Sequence, residues 1–223
     1  MQAKLDSLWG EVQKALHDSA WDEAEGLLRR FIQLCPDSTV DVWDVLAYAL
    51  LMQGDYSACL MILKPWSRHP SRSYWVNHKL GDAFRGLNQL EEAVRAYQLS
   101  LEDGSDSPLT VRNLLQVLDA LLPQRAVAQL GAWQAKGSLE PFVLDGAREA
   151  AVLVPSLQLS EALFASGDAH APCRRRLLEA ACYSLDLQTC ASLLDASRLS
   201  ADSLTEWEQR LQTLLVKFSH AEN

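Results

Sequence analysis

Five histidines (His17, His69, His78, His170 and His220) and five cysteines (Cys35, Cys59, Cys173, Cys182 and Cys190) are the side chains best suited to hold a metal or attack a substrate. Their spacing supports neither role. A zinc site on a helix wants two ligands one turn apart, as in HExxH, or paired thiols as in CxxC, and neither pattern occurs. The nearest approach is His170 with Cys173, followed by Cys182 and Cys190. Surface histidine and core cysteine is the plainer reading of that run. Nucleophile elbows (GxSxG), dinucleotide loops (GxGxxG) and phosphate cradles (GxxxxGK[ST]) are all missing. The paired acids Glu91-Glu92 and Asp22-Glu23 fit a solvated helix rim better than an acid–base couple. The expectation is therefore a non-enzyme, with no catalytic residue, no metal ligand and no cofactor.

Composition narrows the classes further. Hydrophobic residues are 48% and charged residues 22% of 223, the balance of an ordinary globular chain. Leu, Ala, Gln, Glu and Arg are abundant while β-branched alternating runs are nearly lacking, so the expected fold class is all-α. The net charge is −9, from 20 Lys plus Arg against 29 Asp plus Glu. Such a surface repels phosphate backbones, and no nucleic-acid partner is expected. The one basic cluster, Arg174-Arg175-Arg176, points three ways around a helix and reads as solvated or ion-paired. No apolar window approaches a membrane span, and the N-terminus has no basic-then-apolar leader. An odd cysteine count without CxxC suits reduced thiols. These features together imply a cytoplasmic protein with no membrane insertion.

What must position any functional side chain is a repeat. Leu46/Leu80, Ala47/Gly81, Leu50/Phe84, Gly54/Asn88, Tyr56/Leu90, Cys59/Ala93 and Leu63/Tyr97 are all 34 residues apart. A fixed period of this length marks stacked helix pairs. Trp43-Asp44-Val45-Leu46-Ala47-Tyr48-Ala49-Leu50 with Gly54-Asp55-Tyr56, and Leu80-Gly81-Asp82-Ala83-Phe84 with Asn88-Gln89-Leu90, resemble the tetratricopeptide repeat. The resemblance is clear over about 5–107 (units 5–38, 40–73 and 74–107) and degenerate beyond. It implies a right-handed α-solenoid of stacked antiparallel helix pairs with a C-terminal capping helix. Residues 1–137 form the repeats, including a degenerate unit at 108–137. Residues 138–223 form further degenerate pairs and the cap, either continuous with the first part or a separate helical domain.

Punctuation places the elements. Helices are expected at 3–17 and 21–34, with Pro36 past the end of the second. Pro65 should kink or stop the helix before it, because proline lacks an N–H and clashes with the preceding turn. Pro108 opens a helix to 122 behind Ser107, Pro123 another to 136, and further helices run about 138–154, 156–166, 171–184 and 187–196. In the last pair Leu178, Ala181, Leu187, Cys190 and Leu194 take the repeat's packing positions. Ser203-Leu204-Thr205-Glu206 reads as a capping box opening the closing helix. Leu204, Trp207, Leu211, Leu214, Leu215 and Phe218 line its apolar face, and Glu206, Glu208, Gln209, Arg210 and Gln212 its polar one.

The resemblance also implies a concave groove lined by the first helix of each unit. Helical spacing puts Asp41, Asp44, Tyr48, Trp75, His78, Lys79, Asp82, Arg85, Arg112 and Gln116 there. Asp6, Trp9, Gln13, Leu16, Val45, Met52, Asn113 and Asp119 are further candidates, and Trp9 is the one best placed to pack between helices instead. Aromatics among mixed charges suit a protein interface. The Lys, Asn and Arg clamp with which some relatives of this class hold acidic chaperone tails is matched only at Lys79. Asp41, Asp44 and Asp82 instead imply a ligand with basic residues and an apolar anchor. The functional expectation is an adaptor or assembly factor holding another protein's peptide or helix, with self-association as a further expectation. Two alternatives stand beside it. One is an accessory or regulatory subunit of an enzyme complex, such as a glycosyltransferase, secretion or pigment-protein assembly machinery. The other is a small-molecule-binding or catalytic helical domain in the C-terminal half, with its pocket within 138–203.

Overall fold

The computed structural model describes residues 2–137, 139–168, 170–195 and 204–221. Thirteen α-helices account for most of them: α1 (Gln2–His17), α2 (Trp21–Leu34), α3 (Val40–Gln53), α4 (Tyr56–Leu63), α5 (Tyr74–Gly86), α6 (Leu90–Glu102), α7 (Pro108–Leu121), α8 (Pro123–Gln134), α9 (Pro141–Leu153), α10 (Gln158–Ala165), α11 (Ala171–Tyr183), α12 (Leu187–Leu193) and α13 (Glu206–Ala221). None of the described helices is long and apolar enough to cross a membrane. The chain divides into two compact units, residues 1–117 and 118–223, with the division falling inside α7.

In the first unit every helix packs on its successor from α1 to α6, and the leading helices α3 and α5 also touch. That is the contact order of stacked hairpins. One core runs through them, from Val12 and Leu28 through Leu46, Ala47, Leu50, Cys59 and Leu63 to Val76, Leu80 and Ala83. Buried in this core, the Cys59 thiol is pushed up to about 12, so it stays protonated and inert. The 34-residue alternation of large and small side chains has a direct geometric cause. A Cβ on Gly81 would lie 2.5 Å from the Tyr97 ring, and one on Gly86 would lie 2.5 Å from the Tyr56 ring. Glycine at 81 lets α6 bring the Tyr97 ring close against α5, and glycine at 86 lets α4 do the same with Tyr56.

The turns inside the pairs repeat as faithfully as the core. Ser19, Gly54 and Asn88 all have positive φ, at 56°, 79° and 57°. The following N–H in each case reaches back to close the helix, Ala20 to Ala15 (2.8 Å), Asp55 to Leu50 (2.9 Å) and Gln89 to Phe84 (2.8 Å). This is the Schellman closure, which satisfies carbonyls the helix end would otherwise leave bare. Pro65 acts as expected: α4 ends at Leu63 and the chain continues as a single 3-10 turn, Lys64–Trp66.

In the second unit α9 packs on α10 and α11, α10 on α8 and α11, α11 on α12, and α12 on α13. Leu177, Leu178, Ala181, Cys190, Leu193, Leu194 and Leu204 form its last core cluster. The closing helix departs from expectation in three ways. Ser203 lies outside the described residues. The capping box is made two residues later, with Thr205 N–H donating to Glu208 Oε2 (2.7 Å) and Glu208 N–H to Thr205 Oγ1 (3.4 Å). Glu208 is not on a wet face but 1% exposed, gripped by Arg174 at 2.8 and 3.2 Å. Burial alone would raise its carboxyl; the Arg174 and Thr205 hydrogen bonds outweigh that and hold it below the usual carboxylate range. In exchange Trp207, expected inside, is 45% exposed, and Leu214 is exposed as well. Leu211 and Leu215 seat the helix instead. Phe218 lies where no side chain is described.

The tight approach at Gly81 can be tested against a roomy glycine. Gly81→Ala should destabilise the first unit by roughly 1–3 kcal/mol, because the Tyr97 ring must leave its rotamer. Gly10→Ala, in the middle of α1 with nothing within 4 Å, should stabilise by up to about 1 kcal/mol through helix propensity. Urea midpoints of both variants against the parent decide it.

Candidate functional site

Along one face of the first unit, residues of α1, α3, α5 and the start of α7 enclose a cavity of about 530 Å³. The spacing of the lining follows the helical period: Asp44, Val45, Tyr48, Leu51 and Met52 on α3; Trp75, His78, Lys79, Asp82 and Arg85 on α5; Leu109, Arg112 and Asn113 on α7, with Leu16 from α1. Eight of the ten residues singled out from the sequence meet here. The other two do not line it. Asp41 stands exposed in the first turn of α3, and Gln116 sits behind Arg85, accepting a hydrogen bond at 3.3 Å. Trp9 packs against Phe31, with ring centroids 5.5 Å apart, and belongs to the core. Asp6 and Gln13 face solvent, while Asp119 is buried. Leu51 and Leu109 were missed; both are apolar residues three or four positions from a named wall residue, which is the signal that could have found them.

Asp82 is the electrostatic centre of the wall. Its Oδ1 accepts from the Tyr97 hydroxyl at 2.6 Å, Asn113 Nδ2 at 2.9 Å and Arg85 Nη2 at 3.3 Å, and His78 Nε2 lies 3.3 Å from Oδ2. Burial would push this carboxyl up, but His78, Tyr97 and Arg85 together outweigh it and leave it below the ordinary range. The partner effect shows on Tyr97, whose phenol is raised by burial and then by the Asp82 charge. Behind His78 the chain of contacts continues to Thr110 Oγ1 (2.8 Å) and on to Ser105 (3.0 Å). An Asp–His–hydroxyl series of this kind would be a nucleophile if the hydroxyl were reachable. Thr110 is fully buried, so its role is to satisfy the imidazole.

Asp44 is committed too, with Lys79 Nζ 2.7 Å from its Oδ2, while its Oδ1 is buried without a hydrogen-bond partner. The same ammonium lies 5.8 Å from the Trp75 ring centroid, within cation–π range. Two of the three carboxylates that suggested a basic ligand, Asp44 and Asp82, are thus paired inside the wall, while the third, Asp41, stands exposed outside it. Most of the rest of the cavity lining is apolar and aromatic, from Leu16, Val45, Tyr48, Leu51, Met52, Trp75 and Leu109, beside Arg85, which is 39% exposed on its side chain.

Elsewhere, the sequence's nearest approach to a metal or thiol site resolves into two separate pairs. His170 Nδ1 lies 3.3 Å from Cys173 Sγ, and Cys182 Sγ lies 3.6 Å from Cys190 Sγ. Burial raises the Cys173 thiol and lowers His170, with Arg148 adding to the latter, so the first pair is neutral rather than an activated thiolate. Among the described residues no three His, Cys, Asp or Glu side chains converge as a metal would need.

The class that this architecture defines is the all-α solenoid built from stacked antiparallel helix pairs. No protein-family model matches the chain, and no curated protein sequence does. Among solved structures it is similar to a chain in the structure of Naa15/Naa10 bound to HypK-THB, at 16% identity and a TM-score of 0.49. That match covers 98% of this chain and 34% of the other, so the present chain spans about a third of its length.

The Asp82 network carries a pH signature. A carboxyl whose folded pKa is depressed adds stability that is full above its unfolded value and lost as pH falls through the folded one. Asp82→Asn should therefore cost about 2–3 kcal/mol at neutral pH. The gap between parent and variant should close as the solution is acidified below the ordinary carboxylate range. Denaturant titrations of both proteins across acid pH measure that difference.

Proposed function

We propose that the chain is a non-catalytic interaction module, with residues 5–107 acting as three tetratricopeptide-type repeats. Their groove holds a segment of a partner protein as a peptide or helix, in the manner of an adaptor or assembly factor. The observation that carries this reading is the composition of the groove wall. Aromatic and aliphatic side chains line a cavity whose carboxylates are already neutralised from within, and such surfaces supply binding energy without leaving charges stranded.

The wall's charge selects the ligand. Asp44 and Asp82 are the carboxylates of the cavity wall, and Lys79 and Arg85 are the cations paired with them. Lys79 is taken by Asp44, while Arg85 reaches its partners only at 3.3 Å. A segment with one large apolar anchor and a neighbouring acidic residue fits this balance. Such a segment would place its anchor among Tyr48, Met52 and Trp75 and its carboxylate at Arg85.

Selection from a random peptide display library on the purified chain tests this. The recovered peptides should pair an apolar anchor with Asp or Glu. Their affinity should fall at least tenfold in Tyr48→Ala and Trp75→Ala, the loss usual for a hot-spot residue, and Arg85→Glu should reverse the charge preference. Peptides that bind all three variants as well as the parent would place the interaction elsewhere. A partner subsequently isolated at fixed stoichiometry with an enzyme would narrow the reading to an accessory subunit.

A further inference from the structure

The turn between α11 and α12 is held by local bonds that leave little freedom. Asp186 N–H closes α11 onto Ala181 O at 2.9 Å, and Leu185 takes the left-handed position with φ 57°. The Asp186 carboxylate then caps α12, accepting from Thr189 N–H at 3.0 Å and the Thr189 hydroxyl at 2.6 Å. These constraints fix the rotation of one helix against the other. They bring Cys182, next to last in α11, against Cys190 in the second turn of α12, with their sulfurs 3.6 Å apart. Cys190 is fully buried in the last core cluster, and Cys182 is partly buried at its edge. Both are thiols, as are Cys35, Cys59 and Cys173.

We propose that Cys182 and Cys190 are an oxidative modification site, a dithiol that closes to an intramolecular disulfide when it meets a small-molecule disulfide. A disulfide spans about 2.05 Å, so the sulfurs need approach by only about 1.5 Å, on the scale of a side-chain rotation. The order of events follows from exposure. The Cys182 thiolate, the reachable one, attacks one sulfur of the small disulfide. That S–S bond breaks and the first small thiol leaves, taking up a proton. Cys190, as thiolate, then attacks the Cys182 sulfur of the mixed disulfide; the protein S–S bond forms and the second small thiol leaves with the remaining proton. Two cysteines lose two electrons and one small disulfide gains them. Burial and the neighbouring thiol both raise Cys190, so the second step should quicken as pH rises.

The bond would staple a seven-residue helix to its partner. It would also freeze a turn that carries Tyr183 and Leu185 at 93% and 82% exposure. Oxidation thus fixes the presentation of an apolar knob at the tip of the last helix pair. This inference is independent of the groove and of what it binds.

The test uses the full chain equilibrated without oxygen in glutathione buffers of increasing oxidation, acid-quenched, unfolded and alkylated. At a poise that leaves Cys35 as a thiol, three of the five cysteines should alkylate. The intact mass should show the loss of two hydrogens, peptide mapping should link 182 to 190, and no disulfide should join one chain to another. The oxidised form should melt at higher temperature, and dithiothreitol should reverse the change. Cys182→Ser should abolish the link and Cys35→Ser should leave it. Five alkylated cysteines at every poise, a glutathione adduct on Cys182 that never resolves, or links between chains would each overturn the proposal. The unmutated protein alone decides these outcomes, so a folding defect in a variant does not blur them.

Discussion

The Tyr97 ring rests on the bare backbone of Gly81, with its hydroxyl 2.6 Å from Asp82 one residue further along α5. That single contact joins the two things the first unit must do. Its apolar half closes the third helix pair, since a Cβ at 81 would hold α6 away. Its polar end carries a hydrogen bond from the core out to the groove wall, where it orders the carboxylate that His78, Arg85 and Asn113 also touch. The spacing of the helix pair and the electrostatics of the wall are therefore one geometric fact. A buried phenol needs a partner for its hydroxyl, and a carboxylate at the helix surface supplies it.

From that contact the character of the groove follows. Polar groups in a half-buried wall are costly unless paired, and in this wall nearly all are paired to one another: Asp44 with Lys79, Asp82 with four donors, His78 with Thr110. A wall satisfied in this way presents its aromatic and aliphatic faces without a net demand for counter-charge. The pairing is loosest at Arg85, whose contacts with Asp82 and Gln116 are both 3.3 Å. The charge that such a wall leaves exposed has to be counted after pairing rather than before.

Much of this was legible in the chain because helix-pair packing is local. The 34-residue offset, the prolines at 65, 108 and 123 and the small residues at 47 and 81 each act within a turn or on the neighbouring helix, and the helices begin and end within a few residues of where they imply. Helical spacing likewise brought Tyr48, Trp75 and Lys79 to one cavity. What could not be read was pairing across helices. Whether Asp44 meets Lys79, 35 residues on, depends on rotamers and on the angle between α3 and α5. Glu208 looked like one polar residue among several on α13, and nothing within its own helix marks it as the partner of Arg174 on α11. The capping box shows the same limit, because Ser203 with Glu206 and Thr205 with Glu208 satisfy one pattern. The tertiary bond to Arg174 coincides with the second.

The closing helix shows where such long-range pairing takes over from hydrophobic patterning. A helix laid over a helix-pair core on one side and against water on the other needs two unlike faces. Here the apolar seat is modest, Leu204, Leu211 and Leu215, while Trp207 is left half in solvent. The buried Arg174–Glu208 pair and the Gln212 side-chain bond to Leu194 O (2.7 Å) supply the orientation. A buried ion pair adds little net stability, since desolvation offsets most of its attraction, yet it is severe on any arrangement that leaves either charge alone. Greasy contacts tolerate a helix that slides or rolls; a guanidinium and a carboxylate locked at 2.8 Å do not. The end of the second unit is thus set by charge geometry where the middle of the first is set by the room beside a glycine.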